Sequence, residues 1–167
     1  MTPAKLIAQF APLGEQAEIE KAIATKLNPT DSRMVQRAII VALASPSVEV
    51  ALVKISSPLG LLWQSHSICK STGERVERNY PNLSETVEDE TPLAAALRGI
   101  QEELGLEIER DRLTYQGRRI EVRQSKTEAR LKRYLLHIFS LQLTQQEATA
   151  AILEADEGDH TIFFEWR

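Results

Sequence analysis

The chain has 167 residues, a formal net charge of −4, and 43% hydrophobic against 26% charged residues. That supports one hydrophobic core, would starve a second, and excludes the disordered and fibrous classes. A single cysteine, Cys69, excludes an intramolecular disulfide and points to a reducing, cytoplasmic setting. No apolar run reaches the roughly 18 residues of a spanning helix, so no membrane partner is expected. Residues 1–13 are broken by Gln9 and Pro12 and do not form a secretory signal.

Residues 16–27 repeat Ile19, Ile23 and Leu27 every four positions, the stripe of an amphipathic helix, which Asn28-Pro29 ends. We therefore expect an N-terminal helical segment over residues 1–30, packed on a domain over residues 31–167. Residues 38–44 and 48–55 predict two apolar strands joined by a turn at Ser45-Pro46-Ser47, and residues 61–69 a third strand carrying Trp63. Residues 70–90 are polar and read as a long loop, which in a compact domain is often functional.

Residues 91–104 give the clearest helix. Thr91 can cap its first turn, Pro92 suits the first helical position, and Gly105 can adopt the left-handed conformation that stops it. Leu93, Ala96, Leu97, Ile100 and Leu104 share one face, which must pack on a sheet. Residues 113–124 and 131–143 read as a strand hairpin, 144–155 as a short helix and 160–167 as a last strand. The hairpin region is basic: residues 112–133 hold eight Lys or Arg against Glu121 and Glu128, a net +6 that leaves −10 for the rest. Such a block attracts phosphate, or is simply a solvated edge.

Glu102 and Glu103 flank the apolar stripe, so burial of that stripe would hold both carboxylates at the rim of the core. Hard oxygen ligands suit Mg²⁺ or Mn²⁺. No pair among His66, His137 and His160 has metal-ligand spacing.

Residues 84–106 resemble the Nudix box, G-x5-E-x7-R-E-U-x-E-E-x-G-U with U a bulky apolar residue. Glu90, Arg98, Ile100, Glu102, Glu103, Gly105 and Leu106 match, seven of nine specified positions. The resemblance implies a Nudix-type α/β/α sandwich with a mixed central sheet. It also implies an enzyme that cleaves the diphosphate of a nucleoside diphosphate derivative with Mg²⁺ or Mn²⁺. Glu102 and Glu103 would be the metal ligands and catalytic carboxylates. Glu90, Arg98 and Gly105 would be structural, with Arg98 bracing Glu90, and Arg118, Arg119 and Arg133 would bind substrate phosphate. Members of the family usually follow the last strand's tryptophan with a helix that covers the sheet; here Arg167 follows Trp166, so the N-terminal helix or a homodimer partner is expected to cover it.

Two positions depart from the box: Ser84 stands for the leading glycine and Gly99 for the first glutamate of the R-E-U-x-E-E core. Position 99 precedes Glu102 and Glu103 by one turn on the same face, so a carboxylate there would complete a metal cluster. Candidates to replace it are Glu85, Glu88 and Asp89 in the box's own loop, and Glu154, Asp156, Glu157 and Asp159 before the last strand. Gly99 also opens an alternative, a catalytically inactive Nudix-like module that binds a nucleotide or a protein. Nucleic-acid binding through residues 118–133 is a third reading, which the acidic total disfavours.

Overall fold

The computed structural model describes residues 48–124 and 131–167. The expected N-terminal helix, the strand over residues 38–44 and the domain division at residue 30 lie outside the described residues. The chain divides into two compact units, Met1–Glu49 with Arg118–Leu136, and Val50–Gly117 with His137–Arg167.

In chain order, β1 (Val48–Ser57) and β2 (Gly60–Cys69) form a hairpin, and β3 (Arg75–Tyr80) and β4 (Leu83–Thr86) follow. Helix α1 (Pro92–Leu104) and a short 3₁₀ turn lead to β5 (Thr114–Gln124) and β6 (Leu131–Gln142), strands that the division crosses. Helix α2 (Gln145–Ala150), β7 (Glu154–Glu157) and β8 (His160–Trp166) come last. The strand order is β5-β6-β1-β2-β8-β7, with β3 on β2 and β4 on β1.

Strands β2, β3, β7 and β8 pair antiparallel, as do β1 and β4. Beside them, the Leu143 N–H just past β6 donates to Ser56 O near the end of β1 at 2.8 Å. Neighbouring strands whose C-terminal ends meet run parallel, so the sheet is mixed. This is the mixed α/β fold that the sequence predicts.

The core is built from β1, β2, β4, β6, β8 and the inner face of α1, with Val53, Ile55, Leu62, Leu83, Ile100, Leu104, Leu141 and Ile162 buried. Each such aliphatic side chain contributes about 1.5–3 kcal/mol by leaving water. At the end of the hairpin, Leu61 and Arg167 exchange two main-chain hydrogen bonds, of 2.7 and 2.9 Å. Gly60 makes that approach feasible: at φ 120° and with Arg167 O against it, a Cβ would lie 2.3 Å from that oxygen.

Two expectations need correction. Residues 70–90 are not one long loop, because β3 and β4 lie within them. A turn at Gly73, φ 72°, closes with Gly73 N–H on Cys69 O at 2.8 Å and feeds β3 onto β2. The strand was hidden because Arg75–Tyr80 is mostly exposed and has no apolar alternation to read; main-chain pairing holds it instead. Residues 144–155 are likewise only half helix. The Thr144–Glu147 capping box starts α2, but after Ala150 the chain straightens and Ala155 pairs with Ile162 in β8.

Candidate active site

Helix α1 forms as its sequence predicts. The Thr91 hydroxyl accepts from Ala94 N–H at 3.2 Å, Pro92 occupies the first turn, and Gly105 at φ 67° ends it with its N–H on Gln101 O. Ile152 N–H caps the freed Leu104 carbonyl at 2.9 Å. The helix packs against β4 and β7, so its polar flank faces the acidic residues of those strands.

Arg98 organises that flank. Its Nε and Nη2 donate to Glu90 Oε1 at 3.1 and 2.5 Å, and its Nη1 donates to Glu85 Oε1 at 2.9 Å. Nη2 also reaches Thr86 O at 3.0 Å, and Glu102 Oε2 lies at 3.4 Å from Nη1. One guanidinium therefore ties the segment before the helix, strand β4 and the helix together, which its planar fork suits. The Arg98 to Glu90 contact predicted from the box is present. Arg98 holds the Glu90 carboxyl below its ordinary range and is itself held more firmly charged.

Glu102 and Glu103 differ in surroundings. The Glu102 side chain is 61% exposed, whereas Glu103 is half-buried and its Oε2 is enclosed with no hydrogen-bond partner. Burial, then the nearby Glu85, Glu157 and Glu102, push the Glu103 carboxyl up to about 8, against a smaller pull from Arg78. A carboxylate kept in an acidic, partly dry corner is destabilised as an anion and would gain from a cation beside it. Glu85 is raised for the same first reason, burial, with Arg98 opposing.

The structure also sorts the candidate replacement acids. Asp156 is engaged by Thr161 and Lys70, at 2.9 and 3.2 Å, and Asp159 accepts from the Ser71 hydroxyl at 2.5 Å. Glu85, on the same face of β4 as buried Leu83, lies against α1, and Glu157 on β7 is close enough to repel Glu103. Sequence reasoning missed Arg78, whose Nε is enclosed and unpartnered and whose charge favours ionised Glu103. It sits in β3, where no strand had been expected; the strand assignment would have been the signal.

Arg118, Arg119 and Arg133 belong to the other unit. There Arg118 and Arg119 are exposed, and Arg119 pairs with Glu121 at 3.0 Å.

The orphaned Glu103 oxygen and an all-carboxylate donor set fit a hard divalent cation such as Mg²⁺ or Mn²⁺. Among the described residues no three His, Cys, Asp or Glu side chains already stand in ligating positions, so the fit is one of chemistry and neighbourhood.

No family model matches the chain, and no curated protein matches it. Solved structures do. A Caenorhabditis elegans Ap4A hydrolase matches at 14% identity and TM-score 0.35, over 71% of this chain and 80% of that one. A Mycobacterium smegmatis Nudix hydrolase, RenU, matches at 15% and 0.35, over 70% and 69%. A Francisella tularensis bifunctional NMN adenylyltransferase/ADP-ribose pyrophosphatase, solved with AMP and a manganese ion, matches at 14% and 0.39, over 77% and 34%. Likeness at these scores carries no weight for the chemistry, which rests on the residues of α1 and its neighbours.

Proposed function

We propose that the chain is a hydrolase of the Nudix type that cleaves the diphosphate of a nucleoside diphosphate derivative with the help of Mg²⁺ or Mn²⁺. The observation that carries this reading is the half-buried Glu103 carboxylate, with one oxygen unpartnered, beside Glu85 and Glu102 on a helix braced by Arg98.

In this reading Glu103 and Glu102 hold the cation. Bound there, a divalent ion supplies charge neutralisation on the diphosphate and lowers the pKa of a bound water. The chain's own residues do the positioning. Arg98 fixes the segment before α1 by holding Glu90 and Thr86 O, which keeps the helix and β4 in register. Burial of Ile100 and Leu104 orients the helix so that residue 103 lies at the core's rim. Arg118, Arg119 and Arg133 are proposed to attract substrate phosphates.

The test is a panel of nucleoside diphosphate derivatives incubated with Mg²⁺ or Mn²⁺, with products followed by phosphorus NMR. Turnover that Glu103→Gln abolishes supports the reading; turnover indifferent to that change removes α1 from the mechanism. Gly99 favours one rival, a nucleotide-binding module without chemistry. It predicts saturable binding of the same compounds with no product.

A further inference from the structure

The glycine at position 99 is not an open gap in the helix. A Cβ built there would lie 3.1 Å from Glu85 Cβ, 3.1 Å from Leu83 Cδ2 and 3.2 Å from Glu85 Oε2. These approaches are tighter than ordinary van der Waals contact, so for a side chain at 99 both neighbours would have to give by a few tenths of an ångström. By contrast a Cβ at Gly73 or Gly158 meets nothing within 4 Å. The space beside α1 that a residue at 99 would claim is filled from β4.

We infer that Glu85 and Gly99 are a compensating pair: Glu85 delivers from β4 the third carboxylate of the cation site, and Gly99 is glycine because that carboxylate needs the room. The inference rests on the reading of Glu102 and Glu103 given above and names the acid that completes it.

Three further observations support it. Glu85 divides its oxygens: Oε1 accepts from Arg98 at 2.9 Å, while Oε2, which accepts no hydrogen bond among the described residues, is the oxygen that faces position 99. The orphaned oxygen of Glu103 belongs to the residue one turn further along the same helix face. Position 85 is also fixed from behind, because Glu85 pairs with Ala51 in the β1–β4 ladder while Leu83, on the same face, is buried. Moving the donor from helix to strand changes its backbone origin and keeps its neighbourhood.

A plain brace for Arg98 is the competing role for Glu85, and Mn²⁺ affinity measured by calorimetry on the whole chain separates the two. Glu85→Gln, nearly isosteric, is expected to weaken Mn²⁺ binding about tenfold or more, as loss of a ligand or its close support does. Glu90→Gln also removes an Arg98 partner but is expected to weaken it far less. Glu85→Ala with Gly99→Glu, which returns the carboxylate to the helix, is expected to regain most of the affinity that Glu85→Ala loses; Gly99→Glu alone is expected not to improve on the parent. Melting curves confirm that each variant is folded, and Glu85→Asp, with intermediate affinity expected, substitutes for any that is not.

Equal losses in Glu85→Gln and Glu90→Gln, or parental affinity in Glu85→Gln, overturn the inference while leaving the cation site standing. If the parent binds no Mn²⁺, or Glu103→Gln binds it as the parent does, the site itself is wrong and the inference falls with it.

Discussion

Arg98 grips Glu90 with two of its nitrogens, at 3.1 and 2.5 Å, joining the helix's second turn to a residue eight positions earlier, in the segment before the helix. Both side chains are under a third exposed, and the same guanidinium holds Glu85. Removing it strands two half-buried carboxylates. Arg98→Ala is therefore expected to destabilise the fold by about 2–3 kcal/mol, read from the midpoint of denaturant unfolding. Arg98→Lys should recover only part of that, because an ammonium cannot reproduce the fork.

Glu103 predicts a trade of stability for function. Its folded carboxyl titrates at about 8 against an ordinary 4.5, so between those pH values the folded chain holds a proton that the unfolded chain releases. Stability from this group is complete below about pH 4.5 and is lost as pH rises through about 8. In metal-free protein at pH 9, Glu103→Gln should thus stabilise the fold by on the order of 1 kcal/mol while abolishing hydrolysis. Thermal melts at pH 5 and pH 9 check it: the gain should appear mainly at the higher pH.

The opposite sign is expected at Glu147. Arg112, then the Thr144 N–H, hold its carboxyl down to about 2. Its contribution is present above the ordinary 4.5 and is lost as pH falls through about 2. The pair is partly solvent-screened, so Glu147→Gln should cost only about 0.5–1 kcal/mol at pH 7, mostly through the lost Arg112 ion pair since glutamine can still close the capping box, and progressively less as pH falls toward 2.

Gly105 is required by backbone geometry. It has φ 67°, and a Cβ would lie 2.7 Å from Ile152 Cδ1. Gly105→Ala is expected to lower stability by about 1–2 kcal/mol without altering Mn²⁺ affinity, a separation that calorimetry and melting together can verify.

What was legible in the sequence follows what each feature depends on. Helix α1 could be read to the residue because its signals are local: Thr91, Pro92, the Ile100 and Leu104 spacing, and Gly105 all act within a turn of themselves. Strands β1, β2 and β8 declared themselves through apolar content. Strands β3 and β4 did not, since Arg75–Tyr80 is held by hydrogen bonds to β2 and only Leu83 of β4 enters the core. The candidate site shows the same division. Glu102, Glu103 and the Arg98 to Glu90 contact follow from helical periodicity, whereas singling out Glu85 among seven candidate acids needed the register that sets Glu85 opposite Ala51 and thereby beside Gly99.

The most direct measurement is a crystal of the chain soaked in Mn²⁺ and recorded at the manganese absorption edge. The account predicts an anomalous peak beside α1, within about 2.5 Å of oxygens from Glu103 and Glu85, with Glu102 turned toward it. A peak bound elsewhere, or none at a concentration where calorimetry reports saturation, would contradict it.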